Sequence, residues 1–417
     1  MHENKEIEER VILVGVSEQE GDDAEDSMEE LKELVQTAGA SVEGTVLQKL
    51  TRRHPATYVG SGKVQEIREL LMMTDATGVV CDDELSPAQM RNLADLLDTK
   101  VMDRTLVILD IFARRAATSE GKIQVELAQL RYEMTRLTGY GRSMSRLGGG
   151  IGTRGPGEKK LETDRRVIAG RISQLKRELE QVRQHREVNR SRRLRANQPV
   201  AAIVGYTNAG KSTLLNALTD ADVLEWDALF ATLDPTTRLL TLSGRQELLL
   251  TDTVGFIRKL PHHLIEAFRS TLEEAKYADY IIHVVDASNP QMEKQMYIVY
   301  ETLRELGVEG KPVLTLFNKQ DLISEREALH DARADRTLHI SAKNREGLEA
   351  VKETLEAMLR ENKIFMERLL PYNQAGIVAK IRTSGELVAE EYRAEGIFIQ
   401  AYVPRSLYHL AAFGEET

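Results

Sequence analysis

The chain has 417 residues, a formal net charge of −10 and a pI near 5.6. That length is enough for two or three domains, and the acidic average excludes a uniformly basic nucleic-acid-binding protein. A single cysteine, Cys81, excludes an intramolecular disulfide and a cysteine-cluster metal site, and it favours a reducing compartment. Because no apolar run approaches the roughly 18 residues needed to cross a bilayer, we expect a cytoplasmic protein without a membrane span.

Residues 1–115 alternate between strand-like and helical patterns. Short apolar runs predict strands at Arg10–Val16, Ser41–Leu47, Gly78–Cys81 and Lys100–Met102. Helical spacing between them lies at Ser27–Ala38, Lys63–Met73, Ser86–Leu97 and Thr105–Ala113. The alternation predicts an α/β domain with a largely parallel sheet. Within it, Gly60-Ser61-Gly62-Lys63 lacks the spacing of a phosphate-binding loop, and it favours a tight turn from a strand into a helix. A second nucleotide site at this turn is the alternative interpretation.

Residues 116–196 combine helical patterns with glycine and arginine. A helix is predicted over Glu120–Thr138, then a glycine-rich loop over Gly148–Gly157, then a long helix or helical hairpin from Glu158 to about Leu194. The loop, its flanking residues and the long helix carry many cations: Arg142, Arg146, Arg154, Lys159, Lys160, Arg165, Arg166, Arg171, Lys176, Arg177, Arg183, Arg186, Arg190, Arg192, Arg193 and Arg195. Each could belong to a solvated helix face or a flexible linker. Clustered on an acidic protein, they favour an RNA-binding surface.

The most informative motif opens the third part, residues 197–364. It is Gly205-Tyr206-Thr207-Asn208-Ala209-Gly210-Lys211-Ser212, which fits the phosphate-binding P-loop at every fixed position. The apolar run Val200–Val204 predicts a strand before it and Lys211–Leu218 predicts a helix after it, which is the setting that the loop requires. We expect Lys211 to contact the β- and γ-phosphates and Ser212 to bind Mg²⁺.

Two later segments fit the parts of a nucleotide switch. Trp226–Arg238 has no clear period and contains Thr232 and Thr236, either of which could contact Mg²⁺ and the γ-phosphate. The strand predicted over Leu248–Thr251 ends in Asp252-Thr253-Val254-Gly255, where Asp252 would hold Mg²⁺ through water and the Gly255 N–H would bond the γ-phosphate.

The base-binding elements decide between nucleotides. A strand over Pro312–Phe317 leads into Asn318-Lys319-Gln320-Asp321, and the Asp321 carboxylate can accept two hydrogen bonds that guanine offers and adenine does not. Lys319 can lie along the base plane. The strand Leu338–Ile340 leads into Ser341-Ala342-Lys343, whose Ala342 N–H can reach the guanine carbonyl oxygen. Together these elements predict a GTP-binding P-loop domain with the ligand at the carboxyl ends of the strands.

One position departs from the usual pattern. Phe256 follows Gly255 where many GTPases place a glutamine that orients the attacking water, so intrinsic turnover should be slow. The tail, residues 365–417, alternates as strands do over Gly376–Arg382 and Gly396–Val403 with the charged piece Glu386–Glu395 between them, which predicts a small α+β domain.

The chain resembles the HflX family of translational GTPases over nearly its whole length. The resemblance rests on the P-loop, on Asp252-Thr253-Val254-Gly255-Phe256-Ile257, on Gly148–Gly157 with the residues after it, and on Asp103-Arg104-Thr105 with Gly121–Leu127. It also rests on the segment Phe230-Ala231-Thr232-Leu233-Asp234-Pro235-Thr236, and it implies that Thr232 is the switch threonine that binds Mg²⁺.

The resemblance further implies a GTPase that binds the large ribosomal subunit and its RNA and splits or rescues stalled ribosomes under stress. From the nucleotide-binding residues we expect a Mg²⁺-dependent enzyme that converts GTP to GDP, and we expect the protein to be a monomer. The basic helix and the glycine-rich loop would then contact ribosomal RNA. The alternative is a regulatory GTPase that binds another protein and has no ribosomal role. An RNA-modification GTPase is a third candidate. Such an enzyme usually needs an additional catalytic group such as a cysteine, and Cys81 lies far in sequence from the GTPase domain, in a predicted strand.

Overall fold

The computed structural model describes residues 9–18, 23–144, 156–196, 198–219, 229–230, 236–243, 246–259, 274–323, 329–361, 363–404 and 407–409. They fall into two compact units. The first comprises residues 9–183 with 229–230 and 258–259, and the second comprises the remaining described residues.

The first unit contains a four-stranded parallel sheet. Its strands and helices alternate along the chain: β1 (Arg10–Ser17), α1 (Ala24–Thr37), β2 (Ser41–Lys49), α2 (Ser61–Thr74), β3 (Gly78–Cys81), α3 (Pro87–Leu97), β4 (Lys100–Asp103) and α4 (Arg104–Arg115). The strand order is β2-β1-β3-β4, and every pairing is parallel. This confirms the predicted α/β fold with a parallel sheet. The carboxyl ends of the strands, including Asp103, therefore meet at one edge.

Local sequence explains several of these boundaries. Ser86 caps α3 in a reciprocal pair with Gln89, directly before Pro87 at the first helical position. Asp103 caps α4 by accepting a hydrogen bond from the Leu106 N–H at 3.0 Å. Gly60 precedes α2 and donates its N–H to Gln48, so the Gly60–Lys63 stretch forms a helix start.

Two long helices follow the sheet: α5 (Ser119–Met144) and α6 (Pro156–Ala196). Leu127 of α5 packs with Ile172, Leu175 and Leu179 of α6 in one apolar cluster. The Arg171 guanidinium also forms two hydrogen bonds, of 2.7 and 2.9 Å, with the Glu126 carboxylate. The two helices thus pack through one apolar face on the part of α6 whose side chains are described.

The second unit contains a six-stranded sheet and a three-stranded sheet. The larger sheet has the order β10-β9-β8-β5-β7-β6, and only β6 runs antiparallel to its neighbour. Its elements are β5 (Val200–Gly205), α7 (Lys211–Thr219), β6 (Thr236–Thr241), β7 (Glu247–Asp252), β8 (Tyr280–Asp286), α8 (Met292–Glu305), β9 (Val313–Asn318), β10 (Arg336–His339) and α9 (Leu348–Glu361). The segment Trp226–Arg238 was predicted to be irregular, but its last three residues, from Thr236, belong to strand β6.

The tail forms an antiparallel sheet of order β11-β13-β12 with one helix against it. Its elements are β11 (Ile364–Leu370), α10 (Ala375–Ser384), β12 (Glu386–Arg393) and β13 (Gly396–Val403). The small α+β domain and the strand Gly396–Val403 are confirmed. The strand predicted over Gly376–Arg382 is wrong, because Val378 and Ile381 bury against the sheet from a helix. The charged segment Glu386–Glu395 contains strand β12, which ends at Arg393.

Among the described residues, no helix combines the length and the apolar character that a bilayer crossing requires.

Candidate nucleotide-binding site

The P-loop connects β5 to α7 in the centre of the six-stranded sheet. Gly210 has φ +93°, and a side-chain carbon there would lie 2.3 Å from Nδ2 of Asn318, so neither the conformation nor the space admits another residue. Asn208 also has a left-handed backbone, with φ +60°. The loop therefore curls tightly in front of the N-terminus of α7, where backbone N–H groups favour an anion.

Lys211 is the first residue of α7 and is 6% exposed. Its Nζ donates a hydrogen bond to the Tyr206 carbonyl at 2.8 Å, which directs the ammonium across the loop. Burial lowers the pKa of Lys211 to about 8, and the nearby Asp252 carboxylate opposes that shift. A phosphate at this position would restore the charged form, so the lysine is suited to an anionic ligand.

Ser212 and Asp252 bring two kinds of oxygen ligand together. The Ser212 hydroxyl donates to Oδ2 of Asp252 at 2.8 Å, and Asp252 ends β7 fully buried. The Thr253 hydroxyl donates to the Ile203 carbonyl at 2.7 Å and so ties the end of β7 to β5. Hydroxyl and carboxylate oxygens are the ligands that Mg²⁺ prefers, so this pair fits the ion.

The segment after Asp252 is bonded directly to the P-loop. The Thr207 N–H donates to the Phe256 carbonyl at 2.8 Å, and the Phe256 N–H donates to the Gly205 carbonyl at 3.1 Å. A side-chain carbon on Gly255 would lie 2.8 Å from Cγ2 of Thr207 and 3.0 Å from Nζ of Lys211. Gly255 therefore lies against Lys211, and only glycine fits there. The Phe256 ring is buried, so its side chain has no part in orienting water.

Asn318 connects the P-loop to the base-binding loop. Its Nδ2 donates to the Ala209 carbonyl at 2.9 Å, and its Oδ1 accepts from the Ala342 N–H at 2.9 Å. The Ala342 N–H is thus engaged by Asn318 in this conformation, and it would have to be shared to reach a guanine oxygen. This bridging function was not part of the sequence prediction, which placed Asn318 only as a nucleotide contact.

Lys319 and Asp321 are each held by a neighbour. Nζ of Lys319 lies 2.7 Å from Oδ2 of Asp286, the last residue of β8, while Oδ1 of Asp286 accepts from Ser288. Oδ1 of Asp321 accepts from the Ser341 hydroxyl at 2.6 Å, and Asp321 remains exposed to a ligand. Sequence reasoning missed Asp286, although an acid at the carboxyl end of a central strand was a usable signal.

The other predicted residues lie in three places. Gln320 and Lys343 flank the base-binding elements, with Gln320 in the short turn after β9 and Lys343 exposed. Phe230 belongs to the first compact unit, where its ring packs edge-on against Phe112 with the centroids 4.6 Å apart. Four predicted residues of the same segment, Ala231, Thr232, Leu233 and Asp234, lie outside the described residues.

The sequence is similar to families and proteins that are described as GTP-binding GTPases. Three family models match in succession: a GTP-binding GTPase N-terminal region over residues 25–113, a GTP-binding GTPase middle region over 115–193, and a 50S ribosome-binding GTPase over 200–319. The GTPase HflX of Lacrimispora saccharolytica is 63% identical over 406 residues, which cover 97% of this chain and 96% of that protein. The chain belongs to the HflX family of GTPases.

Other HflX proteins match at similar coverage. The GTPase HflX of Caldanaerobacter subterraneus is 47% identical over 97% of this chain and 93% of its own length. A crystal structure of a GTP-binding protein from Sulfolobus solfataricus in complex with GDP is 26% identical, with a TM-score of 0.45 over 84% of this chain and 98% of that one. As an HflX-family member this chain binds GTP and hydrolyses it to GDP, which confirms the predicted activity.

Proposed function

We propose that this GTPase requires Mg²⁺, associates with the large ribosomal subunit and its RNA in the cytoplasm, and splits or rescues stalled ribosomes under stress. The observation that carries the proposal is a basic helical arm joined to a complete set of guanine-nucleotide elements. The family model matched by residues 200–319 is described as a ribosome-binding GTPase, which supports the same partner.

The composition of α6 supports an RNA partner. This helix contains thirteen lysines and arginines against six carboxylates in a chain whose overall charge is negative. On its described part, Arg165, Arg166, Lys176 and Arg177 are exposed, while Ile172, Leu175 and Leu179 pack on α5. These cations are therefore not needed for the core, and they can neutralise phosphates. The glycine-rich loop and the arginines beyond Val182 lie outside the residues whose side chains are described.

Six of the candidate residues would act on the nucleotide or its metal ion. Lys211 would stabilise charge on the transferred phosphoryl group, the Gly255 N–H would bond the γ-phosphate, and Asp321 would select guanine. Ser212 and Thr232 would hold Mg²⁺ directly, and Asp252 would hold it through water. When bound, the ion neutralises charge on the β- and γ-phosphate oxygens.

The residue after Gly255 makes turnover dependent on a partner. Since the buried Phe256 side chain has no polar group to orient the attacking water, the isolated protein should hydrolyse GTP slowly. The large subunit would then supply or order the missing group. GTP turnover measured with and without large subunits tests this point directly.

Sedimentation tests the partner. The protein is spun with purified large subunits in a non-hydrolysable GTP analogue or in GDP, at several salt concentrations. We expect co-sedimentation with the analogue, less with GDP, and a steep loss with salt. The variant Arg165→Glu/Arg166→Glu should lose binding while keeping GTP affinity. The matched control Arg336→Glu/Lys352→Glu makes the same charge change on the second unit and should bind normally.

Two results would contradict the proposal. Equal sedimentation in both nucleotides would remove the GTP dependence. No sedimentation at all, with normal GTP binding, would favour the regulatory GTPase that acts on another protein.

A further inference from the structure

Asp286 and Lys319 form an ion pair at the loop that is assigned to the base. Nζ of Lys319 lies 2.7 Å from Oδ2 of Asp286, and the side chains of the lysine and the aspartate are only 25% and 14% exposed. Water and salt screen a pair that is largely covered by protein less than they screen a surface pair. The ion pair is therefore a built part of this loop and not a loose surface contact.

The backbone on both sides of the pair is also fixed. Asp286 is the last residue of β8 and lies in register with Asn318, the last residue of β9. The Ala287 N–H donates to the Asn318 carbonyl at 3.1 Å, just beyond the two strands. Lys319 follows with φ +64°, a left-handed conformation that ends the extended chain of β9. The two charged residues thus come from neighbouring strand ends whose relative position is set by the sheet.

The second carboxylate oxygen of Asp286 is bonded within its own turn. Oδ1 accepts hydrogen bonds from the Ser288 N–H at 3.0 Å and from the Ser288 hydroxyl at 2.6 Å. An aspartate that bonds the backbone two residues ahead in this way has a fixed side-chain orientation. One oxygen of Asp286 therefore holds the turn, and the other holds Lys319.

An anchored ammonium fixes the direction of the lysine stem. The four-carbon stem is apolar and can cover a flat apolar surface, such as the face of a guanine base, while the ammonium keeps a polar partner. A lysine loses more rotamer entropy on ordering than most side chains, and a ligand that must order it binds more weakly. Because both partners of the ion pair belong to the protein, the nucleotide does not have to supply that ordering.

We propose that Asp286 is a positioning residue for guanine-nucleotide binding, which acts by holding the stem of Lys319 against the face of the base. The inference rests on the proposed assignment of Lys319 to the base and deepens it. It separates two tasks at this loop: Asp321 recognises the edge of the base, and the pair of Asp286 with Lys319 supports its face. Asp286 thereby raises the affinity for GTP and GDP alike.

The test compares GDP affinities of full-length variants, measured by calorimetry. Asp286→Asn keeps an oxygen acceptor for Ser288 and removes the charge that holds Lys319. We expect roughly three- to tenfold weaker GDP binding, as for one long side chain that must be ordered when the ligand binds. Inosine diphosphate, which lacks the guanine amino group, should lose affinity by the same factor, because the edge contact with Asp321 is unaltered. A general displacement of the loop would change the two affinities unequally, and that result would overturn the proposal.

Lys319→Met supplies the second arm of the test. It should itself weaken GDP binding, and adding Asp286→Asn to it should cause no further loss, since the ammonium to be held is gone. A further loss in the double variant would mean that Asp286 acts through the turn at Ser288, which would overturn the positioning function. The matched control is Glu361→Gln, which removes an exposed ion pair of 2.8 Å with Arg336 in the same unit and should leave GDP affinity unchanged.

The single variants also separate this inference from the site on which it rests. Wild-type or tighter GDP binding by Asp286→Asn, together with weakened binding by Lys319→Met, would overturn the positioning function and leave Lys319 at the base. Wild-type binding by Lys319→Met would remove Lys319 from the base site, and the function of Asp286 with it.

Discussion

Replacing Asn318 with alanine is the sharpest test of how the nucleotide site is held together. The change leaves the Ala209 carbonyl and the Ala342 N–H without the partners that lie 2.9 Å away in the native protein. Both residues are buried, at 0% and 2% exposure. An unsatisfied buried polar group costs about 1–3 kcal/mol, so the two together cost roughly 2–6 kcal/mol, near the lower end if water enters the space.

Part of the free-energy cost of Asn318→Ala lowers the stability of the nucleotide-free protein, and part lowers its affinity for nucleotide. Asn318 joins the phosphate loop to the base-binding loop, so a nucleotide that needs both loops must restore their arrangement when it binds. If about 2 kcal/mol of the cost falls on binding, the affinity for GTP and for GDP drops roughly thirtyfold. Urea unfolding of the nucleotide-free protein and titration of a fluorescent GDP analogue measure the two parts.

The matched control is Asn344→Ala, which removes an exposed amide side chain two residues after Ala342. It should change neither quantity. If Asn318→Ala unfolds at the wild-type urea concentration and binds GDP with wild-type affinity, the bridging function assigned to Asn318 is refuted.

Three further predictions follow from the same site. Lys211→Ala and Ser212→Ala should each lower GTP hydrolysis by about 10²–10³-fold, and wild-type turnover in either would contradict their assignment. Asp321→Asn should weaken GTP binding by about 1.5–3 kcal/mol for each lost charged hydrogen bond, leaving ATP binding unchanged; an unaltered GTP preference would mean that the base is recognised elsewhere. Because the Lys211 pKa is about 8 and bound phosphate raises it, GTP binding should take up roughly 0.7 proton at pH 8.5 and about 0.1 at pH 7. Calorimetry in two buffers of different ionisation enthalpy measures this uptake, and equal values at both pH values would exclude it.

The nucleotide elements could be predicted from sequence because each is local. Gly210 and Lys211 define a loop whose geometry depends on neighbouring residues, and the strand before it is a continuous apolar run. The order of the phosphate, switch and base elements then predicted the GTP-binding fold. The tail helix was predicted as a strand because its pattern is locally ambiguous. Over the seven residues Gly376–Arg382, alternation and helical spacing both fit, and only packing of Val378 and Ile381 on the sheet decides.

The sequence by itself thus determined an α/β GTPase with guanine specificity and the positions of its loops. Only the tertiary structure decided that Asn318 bridges two loops, that Asp286 holds Lys319, and that Lys259 lies between Asp82 and Asp83. Lys259 and Asp82 are 177 residues apart in the chain, and a pair so distant has no periodicity or spacing that marks it. The contact between Asp286 and Lys319 arises because two neighbouring parallel strands bring their carboxyl ends to one edge of the folded sheet. The contact between Lys259 and Asp82 likewise exists only in the folded chain and is not encoded in any local stretch of residues.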